Sequence, residues 1–168
     1  AERQLRALAE HAAGRWHVGA GTVLDVASAR RAMECGATYF VTPNVDEEVM
    51  AFAAGAGVDI LPGALTPTEI VRAHRLGAKA VKLFPASRLG PGYVKDLQGP
   101  LPHIPLVAVG GVDLDNVKAY LEAGATGLGL GSGLLDRQAL RDGDYARITA
   151  RAREFARAAG VGSGAGSR

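Results

Sequence analysis

The stretch Leu76-Gly77-Ala78-Lys79-Ala80-Val81-Lys82-Leu83-Phe84-Pro85 leaves a helical segment, passes a glycine and enters a short apolar run closed by a proline. A glycine just past the last helical turn is the expected left-handed cap. A proline cannot donate to a sheet ladder, so it ends a strand. The same Gly-Ala step recurs in Cys35-Gly36-Ala37 and Ala123-Gly124-Ala125, each time ahead of another apolar run. Six runs are found: Val18–Leu24, Thr38–Pro43, Val58–Pro62, Ala80–Phe84, Pro105–Val109 and Gly127–Leu130. Between them lie segments with helical apolar spacing, such as Ala27–Cys35 and Val45–Ala54. Thr66-Pro67-Thr68-Glu69 places a capping residue before a proline at the first helical position, and Asp113-Leu114-Asp115-Asn116 offers similar capping side chains.

Strands alternating with short helices predict a parallel sheet. Continuous apolar strands predict that both faces are covered. A doubly wound sheet and a closed barrel both satisfy this, and the strand ends favour the barrel. Small or special residues fall at the C-terminal end of every strand: Gly21-Thr22, Pro43-Asn44, Pro62-Gly63, Phe84-Pro85, Gly110-Gly111 and Gly131-Ser132. In barrel enzymes that rim carries the site. No GxGxxG or P-loop occupies the first turn, which argues against dinucleotide and ATP binding. The expected fold is α/β, a (β/α)8 TIM-barrel type with six of the eight strand units visible. Residues 1–160 read as a single, partial barrel domain. The chain opens on a helix whose Leu5, Leu8, Ala9 and Ala12 form one apolar face, and an arginine-rich amphipathic helix spans about Tyr145–Ala159. The Gly/Ser-rich residues 161–168 read as a flexible tail.

The 168 residues suffice for one domain with a real core, and 48% hydrophobic with 21% charged residues is ordinary for a globular protein. A net charge of +2 with scattered arginines leaves no nucleic-acid footprint. The single cysteine, Cys35, excludes an internal disulfide and reads as a small core residue. No Cys/His cluster has metal-ligand spacing, no apolar run approaches a membrane span and no signal peptide is visible. The expected protein is soluble and cytoplasmic, with neither metal nor cofactor.

Of the four lysines, Lys79, Lys82, Lys95 and Lys118, only Lys82 falls inside an apolar strand. Burying an ammonium is costly and usually lowers its pKa. A lysine neutral near pH 7 is a nucleophile that forms Schiff bases with carbonyl substrates. The alternative is a buried stem with a head that snorkels to water. Period-two alternation puts Ala80, Lys82 and Phe84 on one strand face, with Val81 and Leu83 on the other. The turns Gly110-Gly111 and Gly131-Ser132-Gly133 follow consecutive strands and offer backbone N–H groups to an anion, at the position of a common barrel phosphate site. Thr22 is a candidate ligand for a carboxylate or hydroxyl, or a helix cap. Pro43 is a candidate pocket wall, or a strand terminator. His11, His17, His74 and His103 are dispersed and read as surface or capping residues.

Gly19-Ala20-Gly21-Thr22-Val23, Thr42-Pro43-Asn44, Leu61-Pro62-Gly63, Val81-Lys82-Leu83-Phe84-Pro85-Ala86, Val109-Gly110-Gly111-Val112 and Gly131-Ser132 follow one another in this order. From about Val18 to Leu134 the chain resembles the 2-keto-3-deoxy-6-phosphogluconate (KDPG) aldolases, including the 4-hydroxy-2-oxoglutarate aldolases. The resemblance implies a metal-free class I aldolase on a (β/α)8 barrel, usually a homotrimer. Its substrates would be a phosphorylated 2-keto acid and pyruvate. It makes Lys82 the Schiff-base lysine, Thr22 a contact to the pyruvyl carboxylate, and Pro43 and Phe84 pocket walls. Gly110, Gly111 and Ser132 become phosphate contacts. The family's Glu-x-Thr-x-Arg pattern, which carries its general base, is absent here and no carboxylate clearly substitutes; Asp25 follows the Thr22 strand and reads as a helix cap. The alternatives are an aldolase for a related 2-keto acid, such as 4-hydroxy-2-oxoglutarate or the 6-phosphogalactonate epimer, and a non-catalytic phosphosugar-binding barrel fragment.

Overall fold

The computed structural model describes residues 1–161 and divides into two compact units, one spanning Ala1–Lys82 and the other beginning at Leu83. Residues 162–168, most of the glycine-rich tail expected from sequence, lie outside the described residues.

The first unit opens with α1 (Glu2–Ala12), followed by β1 (Gly19–Gly21), α2 (Val26–Glu34), β2 (Tyr39–Val41), α3 (Glu47–Gly55) and β3 (Asp59–Leu61). A short β4 (Gly63–Ala64) and α4 (Pro67–Arg75) lead to β5 (Val81–Leu83), and the unit ends at Lys82 within that strand. Strands β1, β2 and β3 form one parallel sheet in that order, with Ala20 opposite Phe40 and Phe40 opposite Ile60. The helices start where short acceptor side chains precede them. Asp25 accepts from the Ser28 N–H at 2.6 Å, and Asp46 from the Val49 N–H at 2.9 Å. Thr66 and Glu69 form a reciprocal capping box, with Pro67 inside the first turn. Gly36 and Gly77 close α2 and α4 at φ +93° and +95°, the left-handed geometry expected of the Gly-Ala steps. The core joins sheet and helices through Val23, Ala29, Ala32, Ala37, Phe40, Val49 and Ala53. Cys35 is buried.

The second unit begins with a single 3-10 turn at Ala86–Arg88. It continues through α5 (Gly90–Gln98), β6 (Leu106–Val109), α6 (Val117–Glu122), β7 (Gly127–Gly129), α7 (Arg137–Asp142) and α8 (Tyr145–Ala158). β6 and β7 pair in parallel, with Val109 opposite Gly129. Val94, Leu97, Ile104, Leu106, Ala108, Val117 and Tyr120 are buried.

All six strands expected from sequence are present, and β4 is an additional one. Pro62 has no N–H to continue the ladder of β3, so the chain leaves that sheet there. Gly63 and Ala64 then form β4 outside that sheet. Leu8 also departs from expectation. It is 53% exposed, because α1 turns Ala12 inward, with Ala9 beside Gly36, and leaves Leu8 over a cavity next to β1. At the α6 entry the N-cap residue is Asn116, but its side chain makes no capping bond. Among the described residues no helix is long and apolar enough to cross a membrane, and no cluster of His, Cys, Asp or Glu could hold a metal ion.

Candidate active site

Among the described residues Lys82 is the only charged side chain in the buried set, at 8% exposure, whereas Lys79, Lys95 and Lys118 are all exposed. β5 places it there. Its neighbours Val81 and Leu83 are 0% and 1% exposed, so alternation turns Lys82 to the opposite face. The Lys82 N–H donates to the Pro62 carbonyl at 2.9 Å, and its Nζ donates to the Thr42 carbonyl at 3.3 Å. A carbonyl carries no countercharge, and desolvation lowers the amine's pKa below its ordinary value.

The end of β2 holds that carbonyl in place. Thr42 is itself buried, and its Oγ1 donates to the Asn44 carbonyl at 2.6 Å, closing a tight turn around Pro43. β4 lies against this turn. A Cβ on Gly63 would sit 2.4 Å from the Pro43 carbonyl carbon and oxygen and 2.8 Å from the Thr42 oxygen. Gly63 is therefore a steric requirement of the site, a role that sequence reading assigned only to the strand end in general.

Thr22 follows β1 with φ +59°. A β-branched residue in the left-handed region is strained by about 1–2 kcal/mol. The next helix is capped by Asp25, so Thr22 is not spent as a cap. Its side chain lines the cavity beside β1 together with Gly21 and Ser28. Thr22→Gly is expected to raise stability by about 1 kcal/mol, read as a higher urea midpoint. An unchanged or lower midpoint would show that the threonine side chain compensates its backbone locally. Asp25 is exposed. Its carboxyl is held below the usual range chiefly by the Ser28 N–H, which suits a cap rather than a proton acceptor.

In the second unit, Gly110 and Gly111 follow β6 with φ +94° and +75°. Phe84 stacks close to the first: a Cβ on Gly110 would lie 3.3 Å from its ring. The Ser87 N–H donates to the Gly110 carbonyl at 3.0 Å. Because Val109 and Gly129 are register partners, the turns after β6 and β7 leave the sheet at the same edge. They also pack together, for a Cβ on Gly133 would sit 2.7 Å from the Val112 carbonyl oxygen. Ser132 is exposed in the second of these turns. The structure thus groups Gly110, Gly111 and Ser132 in one unit, and Lys82 with the Pro43 turn in the other.

The buried lysine also makes a stability statement. Its lowered pKa in the folded state means that the unfolded chain binds the extra proton between that value and the ordinary one near 10.5. Stability from this group therefore rises with pH across that window, and the penalty is full below it. Lys82→Met is expected to be more stable than the parent at pH 7, with the difference shrinking as pH approaches 10. Denaturant titrations at three pH values measure this. A difference that is flat with pH would show that the amine is as well solvated in the fold as in the unfolded chain.

A lone desolvated lysine on a strand, glycine turns after two adjacent parallel strands, and alternating helices define an α/β protein of the (β/α)8 TIM-barrel type. Residues 3–151 match the family profile of the KDPG and KHG aldolases, and the chain belongs to that family. It is 40% identical over 134 residues to the 2-dehydro-3-deoxy-6-phosphogalactonate aldolase of Escherichia coli K12, covering 79% of this chain and 65% of that one. It is 37% identical over 138 residues to the 2-dehydro-3-deoxy-phosphogluconate aldolase of Pseudomonas aeruginosa, covering 82% and 63%. The chain thus spans less than two-thirds of the length of either relative. A solved structure described as native KDPGal superposes with a TM-score of 0.84 at 34% identity, covering 95% of this chain and 78% of that one.

Proposed function

We propose that this chain carries the Schiff-base machinery of a class I aldolase that cleaves 2-keto-3-deoxy-6-phosphogluconate to pyruvate and glyceraldehyde 3-phosphate. The observation that carries this is the buried Lys82, with its pKa lowered by desolvation and its amine against the Thr42 carbonyl. The neutral amine attacks the 2-keto carbon, loss of water from the carbinolamine gives an imine, and protonation of its nitrogen gives the iminium. A base takes the C4 hydroxyl proton, the C3–C4 bond breaks, and its electron pair moves into the iminium to form an enamine. Glyceraldehyde 3-phosphate leaves, C3 takes a proton, and water hydrolyses the imine to pyruvate and free Lys82. In this scheme Thr22 meets the pyruvyl carboxylate, Pro43 and Phe84 wall the pocket, and Gly110, Gly111 and Ser132 hold the phosphate. The assembly expected from the resemblance is a cytoplasmic homotrimer.

Incubation with pyruvate and borohydride, followed by peptide mapping, tests the assignment. A single reduced adduct is expected on Lys82. Label on Lys79 or Lys95, or none on folded protein, would overturn it. The 40% identity to a phosphogalactonate aldolase favours a second substrate, the C4 epimer. Cleavage rates on the two epimers, compared under identical conditions, decide between them.

A further inference from the structure

We infer that Asn116 is the positioning residue of the phosphate turn, fixing the Gly110-Gly111 peptides so that their N–H groups face the ligand. This rests on the phosphate reading of that turn. Asn116 stands at the N-cap of α6, where an asparagine ordinarily satisfies the helix's own free N–H groups. Here its side chain makes no such bond. Its Nδ2 instead reaches back and donates to the Gly111 carbonyl at 2.9 Å.

The amide can take only one orientation. Its Oδ1 accepts from the Asp113 N–H at 3.0 Å, and a backbone N–H can only donate. The Nδ2 is therefore left for the Gly111 carbonyl, which can only accept. The Asp113 carboxylate serves the helix entry instead, accepting the Asp115 and Asn116 N–H groups at 3.1 Å each. The Gly110 carbonyl is tied separately, by the Ser87 N–H.

In a trans peptide the C=O and N–H point in opposite directions. Anchoring the Gly110 carbonyl on Ser87 turns the Gly111 N–H away from it. Anchoring the Gly111 carbonyl on Asn116 does the same for the Val112 N–H. Two successive N–H groups held this way form an anion-binding concavity. Glycine alone would let both peptides rotate, because residues at positive φ without a Cβ have wide freedom. Asn116 supplies the tether for the second peptide.

Three variants test this, with inorganic phosphate as the probe and pyruvate, which lacks a phosphate group, as the internal reference. Asn116→Ala removes the tether. Asn116→Ser keeps an acceptor for the Asp113 N–H and a capping hydroxyl, but is too short to reach Gly111. Asp113→Ala weakens the entry to α6 without touching the Gly111 carbonyl. Both Asn116 variants are expected to bind inorganic phosphate about tenfold more weakly, the worth of one well-placed hydrogen bond. The loss should fall on phosphate affinity and not on pyruvate half-saturation in borohydride labelling. Asp113→Ala should keep phosphate affinity within about twofold while lowering the thermal midpoint. If Asn116→Ser binds phosphate as the parent does, or Asp113→Ala loses as much, Asn116 only shapes the helix entry and the positioning role is wrong. If the parent chain binds no inorganic phosphate, the phosphate reading itself fails and takes the inference with it.

Discussion

Lys82→Met is expected to remain folded, and to be stabilised near neutral pH, while losing every trace of borohydride-trapped pyruvate. Cleavage of the phosphorylated 2-keto acid should fall by at least about 10³-fold, because the covalent intermediate is lost outright rather than weakened. The two results belong together. A variant that gains stability cannot owe its inactivity to unfolding. The gain follows from removing a buried amine whose charged form desolvation penalises, and whose Nζ donates to a backbone carbonyl. Methionine keeps much of the length of the side chain and needs no water. The comparison to run is circular dichroism, denaturant midpoint and single-turnover labelling on the same preparation. A variant that still accumulates adduct would move the imine to another amine. A variant that is inactive but less stable at pH 7 would leave the imine and withdraw the desolvation account.

Gly63→Ala is expected to produce the next largest effect, although it adds one methyl group. That methyl would meet the Pro43 carbonyl carbon and oxygen at 2.4 Å and the Thr42 oxygen at 2.8 Å. All three are backbone atoms and none can swing aside as a side chain tip would. Overpacking of this kind costs about 1–3 kcal/mol. The relief available is to push the end of β2 away from β4, which carries the Thr42 carbonyl away from Lys82 Nζ. A misplacement approaching 1 Å at a reacting group can cost roughly 10²-fold. The expected outcome is a lower urea midpoint together with slower adduct formation from pyruvate. A drop in midpoint with labelling at the parent rate would mean that the Thr42 carbonyl does not orient the amine.

Much of this architecture was legible along the chain, for local reasons. The six apolar runs and the Gly-Ala steps before three of them lie within a few residues of each other, and the strands and left-handed caps appear where those signals stand. Thr66 and Glu69 are three residues apart and cap α4 as their spacing implies. Lys82 stood out because its neighbours in sequence are Val81 and Leu83, and the alternation of a strand carries that information to the fold unaided.

Contacts distant in sequence were not legible. Gly63 read as one more strand-end glycine. Its purpose depends on the approach of Pro43, twenty residues earlier, and no local pattern records how closely two backbones pass. Asn116 read as a helix cap from its type and place, but its side chain bonds back to Asp113 and Gly111 instead. Leu8 satisfied the helical period and still faces outward, because helix periodicity names a face without naming what covers it. Pro62 marked the end of a strand, but only the sheet pairing reveals that the chain pairs again at the very next residue as β4. The sequence by itself determined the elements, their caps and the one lysine that must lose its water. The tertiary structure decided which carbonyl meets that lysine and which side chain holds the glycine turn, since hydrogen bonds and steric limits between remote segments exist only once the strands are side by side.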